Sequence, residues 1–200
     1  MGKHEVKWRA VFLDRDGVIN KPVIRDGRPY PPASVEEFEI YEDVGAGCAR
    51  LESAGFLLIV VTNQPDVARG TQTRAVVDAM HERMLAALPA ITQLEVCWHA
   101  GAQWADPCDC RKPEPGMVLR AAQTLEIDLS ESFLVGDRWQ DIDCGHAAGC
   151  RTILINRNYS EALRQSPDWT VDSFGQAVEV ILQAIGADVK SDLRPSFKPR

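Results

Sequence analysis

The stretch Val11-Phe12-Leu13-Asp14-Arg15-Asp16-Gly17 decides the fold, because an apolar run ends there in two carboxylates one residue apart and then in a glycine. Short apolar runs bounded by turn residues are typical of buried strands, and open α/β sheets bind ligands beyond the carboxyl ends of such strands. Residues i and i+2 point the same way from an extended chain, so we expect Asp14 and Asp16 on one face. The stretch therefore predicts a central strand with an acidic site at its end.

The two carboxylates suit two kinds of chemistry. Oxygen ligands this close together favour a hard cation such as Mg2+. A carboxylate beside a metal also serves as a nucleophile in aspartyl-phosphate chemistry. A strand followed by an Asp-Gly turn explains the same residues equally well, so this motif alone leaves both interpretations open.

Three further segments place polar side chains at predicted strand ends or helix starts, in the order Thr62-Asn63-Gln64, Arg111-Lys112-Pro113 and Gly136-Asp137 with Asp141. Thr62 and Asn63 offer neutral donors to phosphoryl oxygens, and Lys112 offsets the charge of a transferring phosphoryl group. Asp137 is a candidate for completing a Mg2+ site with Asp14. Each segment alone also fits a turn, a solvated lysine or acids at a helix N-terminus. Their joint occurrence in this order favours a phosphoryl-transfer site.

Strand-like and helix-like patterns alternate along the chain, which predicts an α/β fold with a mostly parallel, Rossmann-like sheet and helices on both faces. The predicted strands lie near residues 9–13, 57–62, 93–97, 133–135 and 151–155. The predicted helices lie near residues 43–54, 73–88, 115–125, 140–148 and 173–185. No large cap domain is expected. The proline-rich segment 22–41 is predicted to be a long loop of the kind that forms lids or binding loops.

In these motifs the chain resembles the haloacid dehalogenase (HAD) superfamily of phosphotransferases, over residues 9–185. Within it, the chain is most similar to the family of bacterial D-glycero-D-manno-heptose 1,7-bisphosphate phosphatases and the neighbouring histidinol-phosphatases. The stretches that carry the resemblance are residues 12–20, residues 61–64, Ala68-Arg69-Gly70 and residues 108–117.

The resemblance implies a mechanism of phosphomonoester hydrolysis. Asp14 is then the nucleophile, and Asp16 is the general acid and base. Mg2+ is held by Asp14, Asp137 and the backbone carbonyl of Asp16. We expect the like charge on Asp14 to raise the pKa of Asp16, so that Asp16 carries a proton near neutral pH. Thr62 and Lys112 are expected to hold the phosphoryl group.

The residues expected to contact the rest of the substrate are Asn63, Arg111 and Arg138. The expected substrate is a phosphorylated sugar, most specifically the 7-phosphate of the heptose bisphosphate. Histidinol phosphate, or another small phosphomonoester, is the alternative. A zinc-stabilised binding module without activity is a remote one, and a 3'-phosphatase of nucleic-acid ends is disfavoured by the charge balance.

Two short pairs, Cys97 with His99 and Cys108 with Cys110, provide three thiolates and an imidazole, the donor set of a closed tetrahedral zinc site. Their spacing is not that of a zinc finger, and buried free cysteines explain it equally well. The family resembled here holds a structural zinc with these two elements, so the resemblance implies zinc in the loop 97–110. Its expected role is to pin the loop that presents Arg111 and Lys112.

Two departures from the family pattern concern substrate choice. The first zinc pair lacks the usual prolines and second histidine, and the loop between the pairs has an intermediate length. After Gln64, the usual Ser-Gly pair is replaced by Pro65-Asp66. A carboxylate at that position disfavours a second phosphate nearby, which weakens the bisphosphate assignment.

Composition and charge exclude several classes of protein. Two hundred residues, 45% of them hydrophobic, suffice for one domain with a sizeable core, here placed at residues 1–187. The net charge of −7, without a long basic cluster, argues against nucleic acid as a partner. No apolar stretch approaches the roughly 20 residues that cross a membrane. We expect a cytoplasmic monomer with its remaining cysteines buried, and a flexible tail at residues 188–200.

Overall fold

The computed structural model describes residues 7–188, which form a six-stranded parallel sheet with helices on both faces. The strands, numbered along the chain, are β1 (Arg9–Leu13), β4 (Phe56–Asn63), β5 (Ile91–Cys97), β6 (Phe133–Gly136), β7 (Arg151–Ile155) and β8 (Trp169–Val171). Their spatial order is β5-β4-β1-β6-β7-β8. A two-stranded antiparallel hairpin, β2 (Val23–Arg25) and β3 (Arg28–Tyr30), stands apart from this sheet.

The helices are α1 (Val44–Ser53), α2 (Pro65–Ala68), α3 (Arg74–Ala87), α4 (Gly116–Leu125), α5 (Trp139–Ala148) and α6 (Phe174–Asp188). Side chains of α1, α3 and α6 pack on one face of the sheet, and those of α4 and α5 pack on the other. Strand β1 contributes to both cores, because Val11 and Leu13 face one while Ala10 and Phe12 face the other. This burial on both sides explains why β1 is a continuous apolar run rather than an alternating one.

The register of the sheet places the predicted polar residues along one edge. Leu13 of β1 lies opposite Val60 of β4 and Val135 of β6. The residues that follow these strands therefore meet at the carboxyl edge. The strands that follow β1 in the chain, β4 and β5, lie on one side of it, and the later strands β6 to β8 lie on the other. The strand order therefore reverses at β1, and α/β sheets bind ligands in the crevice at such a reversal.

The predicted fold class is confirmed, and the five predicted strands match observed ones within two residues at each end. The prediction of a loop without regular structure at residues 22–41 is wrong, because this segment contains the β2–β3 hairpin. The sequence also missed β8 and α2. Helix α6 continues to Asp188, one residue into the predicted tail, and residues 189–200 lie outside the described part of the chain. Among the described residues no helix is long and apolar enough to cross a membrane.

Candidate active site

Lys112 stands at the centre of the site, buried between two carboxylates. Its Nζ lies 2.8 Å from Oδ1 of Asp14 and 2.6 Å from Oδ1 of Asp141. Burial by itself lowers the pKa of Lys112, but the two carboxylates outweigh it and raise the pKa above its usual value. Lys112 is therefore a permanent cation, held where it contacts the predicted nucleophile.

Asn63 fixes the backbone of Lys112 to the end of β4. Its Oδ1 accepts a hydrogen bond from the Lys112 N–H at 3.0 Å, and its Nδ2 donates to the Lys112 carbonyl at 3.1 Å. Asn63 also lines the cavity described below. Asn63, predicted to contact the substrate, therefore also has a structural role, because its two hydrogen bonds hold the backbone of Lys112 against the end of β4.

Three buried carboxylates, those of Asp14, Asp137 and Asp141, bring one oxygen each to within 4.8 Å of one another. Burial raises the pKa of Asp14 to about 7 against the opposing effect of Lys112, and Asp141 adds to the rise. Burial also raises the pKa of Asp137 well above its usual value, with Asp14 and Asp141 adding to it. Oδ1 of Asp137 is buried without a hydrogen-bond partner. A divalent cation between these oxygens relieves both the repulsion and the missing contact, so the donor set fits Mg2+.

Two glycines allow these acids to approach. A Cβ built on Gly17, whose φ is +94°, lies 1.7 Å from Oδ2 of Asp137. A Cβ built on Gly136 lies 2.1 Å from Cβ of Asp141. Neither position accommodates a side chain unless an acid moves.

The structure brings Asp14 and Asp137 together, and it adds a third carboxylate, that of Asp141, which was not among the predicted Mg2+ ligands. The predicted ligand from Asp16 is its backbone carbonyl, which stays a prediction. The sequence marked Asp141 only as an acid one helical turn after Asp137. Its role depends on contact with Lys112, 29 positions earlier in the chain, which no local pattern shows.

The side chain of Asp16 is not part of this cluster and accepts four hydrogen bonds. Two come from Nη2 of Arg15, at 2.9 and 2.8 Å, and one each comes from Asn20 and Gln64, both at 3.0 Å. Burial raises the pKa of Asp16, but Arg15, Asn20 and Gln64 outweigh it and lower the pKa below its usual value. The expectation that Asp14 raises the pKa of Asp16 is therefore wrong, because the adjacent guanidinium dominates.

Thr62 is linked to Asp16 through the side chain of Gln64. Its Oγ1 accepts a hydrogen bond from Nε2 of Gln64 at 2.9 Å, and the same Nε2 reaches Oδ2 of Asp16. Thr62 is buried, with 1% of its surface exposed. Gln64, which sequence reasoning did not select, thus connects the predicted phosphoryl contact to the predicted acid and base.

The segment after β7, residues 157–160, contacts the residues around the candidate Mg2+ site. Tyr159 donates a hydrogen bond from its hydroxyl to Oδ2 of Asp137 at 2.8 Å, and Arg157 Nε donates to the Gly17 carbonyl at 2.8 Å. The backbone N–H of Ser160 lies 3.4 Å from the carbonyl of Gly27 at the hairpin tip. Sequence reasoning missed these residues, because nothing near them has the pattern of a strand end.

A cavity of about 570 Å³ opens beside the carboxylates. The predicted residues that line it are Asp14, Asp16, Asn63, Arg111, Lys112 and Arg138. Arg28 and Tyr30 of the hairpin form part of its wall. A ligand that reaches Asp14 therefore lies among several cationic side chains.

The cations of the cavity are partly neutralised by the protein. Nε of Arg138 donates to Glu161 at 2.9 Å, and its Nη2 contacts the second oxygen of that carboxylate. Arg69 lies 3.5 Å from Asp66 and donates to the Ala100 carbonyl at 2.8 Å. Burial and the nearby Arg69 lower the pKa of Arg111, and its buried Nη1 has no hydrogen-bond partner.

The four predicted zinc ligands form one cluster in the loop before Arg111. Sγ of Cys97 lies 3.6 Å from Nδ1 of His99 and 3.7 Å from Sγ of Cys108, and Sγ of Cys110 lies 3.2 Å from the same Nδ1. Four ligands about 2.3 Å from a tetrahedral centre lie roughly 3.8 Å apart. The observed spacing fits such a centre, and none of the cysteines is in a disulfide.

Comparisons with known proteins agree with this geometry. A family model described as HAD-hydrolase-like matches residues 109–177. The D-glycero-beta-D-manno-heptose-1,7-bisphosphate 7-phosphatase of Escherichia coli K12 is 32% identical over 183 residues, covering 86% of this chain and 93% of that protein. The D-glycero-D-manno-heptose-1,7-bisphosphate 7-phosphatase of Chlorobaculum tepidum is 34% identical over 188 residues, covering 85% and 92%.

A solved structure shares the architecture. The D,D-heptose 1,7-bisphosphate phosphatase of B. bronchiseptica, complexed with magnesium and phosphate, superimposes with a TM-score of 0.75 at 29% identity. The match covers 88% of this chain and 99% of that one. The fold and its relatives define this protein as a HAD-type phosphatase, a phosphoric monoester hydrolase. Among these enzymes, the chain belongs to the D-glycero-D-manno-heptose 1,7-bisphosphate 7-phosphatase family.

Proposed function

We propose that the protein is a Mg2+-dependent phosphatase that removes the 7-phosphate of D-glycero-D-manno-heptose 1,7-bisphosphate. The observation that carries this proposal is Asp14, buried at a strand end, in contact with Lys112 and open to a cationic cavity. The substrates named for its relatives supply the identity of the sugar.

In the first step an oxygen of Asp14 attacks phosphorus, and the bond between phosphorus and the sugar oxygen breaks. Asp16 gives a proton to the departing oxygen. Because its hydrogen-bond donors lower the pKa of Asp16 in the free enzyme, it takes up this proton together with the substrate, whose phosphoryl charge opposes ionisation of the carboxylate. Lys112 offsets negative charge on the phosphoryl group. The products are the sugar alcohol and a phosphoryl ester on Asp14.

In the second step water attacks the phosphorus on Asp14. The bond to the Asp14 oxygen breaks, phosphate leaves, and Asp16 takes the proton of the water. Asp14, Asp137 and Asp141 present the carboxylates that would hold Mg2+, together with the carbonyl of Asp16. When bound, the cation neutralises phosphoryl oxygens.

The zinc ligands Cys97, His99, Cys108 and Cys110 belong to the same proposal. A metal at this cluster holds the loop 97–110 and thereby the position of Arg111 and Lys112. A reducing cytoplasm keeps such thiolates available, which is the compartment we propose. We also retain the proposal of a monomer.

Histidinol phosphate is the second candidate substrate, and Asp66 favours it. This carboxylate lines the cavity and lies 3.5 Å from Arg69, so it cancels part of the cationic charge that a second phosphate needs. A carboxylate at that position also suits a substrate that carries an ammonium group.

The test is phosphate release with Mg2+ from the heptose bisphosphate and from histidinol phosphate, measured side by side, with Asp14→Asn as the inactive control. We expect a higher kcat/KM for the heptose and loss of the 7-phosphate, seen by phosphorus NMR. A higher value for histidinol phosphate would assign the second candidate. No hydrolysis of either by the wild type would refute both.

A further inference from the structure

His81 on α3 is a buried histidine that the mechanism above does not use. Its Nε2 lies 3.0 Å from Nη1 of Arg15, whereas Asp16 is bound by the other terminal nitrogen, Nη2. Arg15 is completely buried, and its Nη2 donates to both oxygens of Asp16. His81 itself has only 4% of its surface exposed. A chain of side-chain contacts thus runs from the buried His81 through the buried Arg15 to Asp16, which reaches the cavity.

The chemistry of this contact assigns the state of the imidazole. A guanidinium only donates hydrogen bonds, so Nε2 of His81 must accept, and the ring proton lies on Nδ1. The surroundings agree, because burial and the Arg15 charge lower the pKa of His81 to about 4. His81 is therefore a neutral acceptor for Arg15.

Arg15 in turn sets the orientation of Asp16. It supplies two of the four hydrogen bonds to that carboxylate, both from Nη2, which lies 2.9 and 2.8 Å from the two oxygens and so fixes the position of the carboxylate relative to the guanidinium. The guanidinium itself is fixed by His81 on one edge and by the Phe38 ring, 5.7 Å from its centre. Without His81, Nη1 loses the only side-chain acceptor that the described residues offer it.

We propose that His81 is a positioning residue for the general acid and base, acting on Asp16 through Arg15. This inference rests on the proposed function, since it assumes that Asp16 transfers the proton. It also extends that function, because neither the motifs nor the spacing of the sequence marks His81.

The leaving group makes the inference testable. An alkyl alkoxide leaves phosphorus only with a proton from Asp16, whereas p-nitrophenolate leaves without one. Since kcat/KM reports phosphoryl transfer to Asp14, poor positioning of Asp16 lowers kcat/KM for an alkyl phosphate and spares p-nitrophenyl phosphate.

The experiment compares His81→Ala, His81→Phe and His81→Gln with the wild type on both substrates. The alkyl phosphate is whichever of the heptose bisphosphate and histidinol phosphate the wild type hydrolyses with the higher kcat/KM. Phe fills the volume of the ring without an acceptor, and Gln restores an acceptor. His146→Ala, which removes a histidine on α5, is the matched control, and Asp14→Asn reports background. Because both substrates are measured on one preparation, the folded fraction cancels in their ratio.

We expect the Ala and Phe variants to lose roughly 10- to 100-fold in kcat/KM for the alkyl phosphate and less than about threefold for p-nitrophenyl phosphate. The Gln variant and His146→Ala should keep the wild-type ratio. An equal loss on both substrates, or no loss, would overturn the role of His81 while leaving the phosphatase assignment intact. A wild type no more active than Asp14→Asn would refute the proposed function itself.

Discussion

Gly17→Ala should disable the metal site through a collision of known size. The added Cβ lies 1.7 Å from Oδ2 of Asp137, whereas such atoms stay at least 3.0 Å from any neighbour. The carboxylate must therefore retreat by about 1.3 Å or more, and displacements near 1 Å in an active site cost on the order of 100-fold in rate. We expect the Mg2+ concentration for half-maximal activity to rise and kcat to fall by roughly 100-fold.

Gly55→Ala is the matched control. Gly55 also has a positive φ, +85°, but its added Cβ meets nothing within 4 Å. Both substitutions carry backbone strain of about 1–2 kcal/mol, so both should lower the melting temperature by roughly 2–8 °C. Activity and its Mg2+ dependence, measured by phosphate release, should change only for Gly17→Ala. Equal activity in the two variants would refute the argument that Gly17 makes room for Asp137.

Three further predictions concern the loop, the cavity and pH. Cys108→Ser should lower the zinc content, measured by atomic emission, and the melting temperature, whereas Cys150→Ala should keep full zinc; unchanged zinc in Cys108→Ser would contradict the assigned ligand set. Asp66→Ser should raise kcat/KM for a bisphosphate relative to a monophosphate by roughly 1.5- to 5-fold, because a partly exposed ion pair such as the one with Arg69 is worth about 0.2–1 kcal/mol; a lower ratio would count against the charge argument. Because folding lowers the pKa of His81 from 6.5 to about 4, this histidine takes up a proton in the unfolded protein at a higher pH than in the folded protein. Its contribution to the free energy of unfolding is therefore complete above pH 6.5 and is lost as the pH falls toward about 4. His81→Gln should remove up to about 3 kcal/mol of that loss in urea titrations, and an identical acid dependence in both proteins would show that His81 does not contribute.

The sheet was predictable because each of its central strands is marked by a short apolar run in the local sequence. Strand β1 and strand β4 are apolar runs that end at polar residues, and parallel strands of one sheet share their carboxyl edge. The juxtaposition of Asp14, Lys112 and Asp137 follows from that rule together with the family resemblance. The hairpin was not predictable, because its strands have three residues each, too few for a period to appear, and the second contains a proline.

The surroundings of each site residue were not predictable from the sequence. Asp16 receives hydrogen bonds from Arg15 beside it but also from Gln64, 48 positions away, and His81 lies 66 positions from Arg15. Tyr159 reaches Asp137 across 22 positions from a segment without regular structure. Such contacts depend on tertiary packing. The sign of the Asp16 pKa shift depends first on the neighbouring Arg15, whose guanidinium is held against Asp16 by packing that the sequence does not show, which explains why the sequence-based expectation for it was wrong.

The central claim is that Asp14 becomes phosphorylated. The most direct measurement traps the intermediate by rapid acid quench during turnover, reduces it with borohydride and identifies the modified residue by mass spectrometry. An acyl phosphate at Asp14 is reduced to homoserine, so we expect homoserine at position 14 only when substrate and Mg2+ are both present. An unmodified Asp14, or homoserine at Asp16 or Asp137 instead, would contradict it.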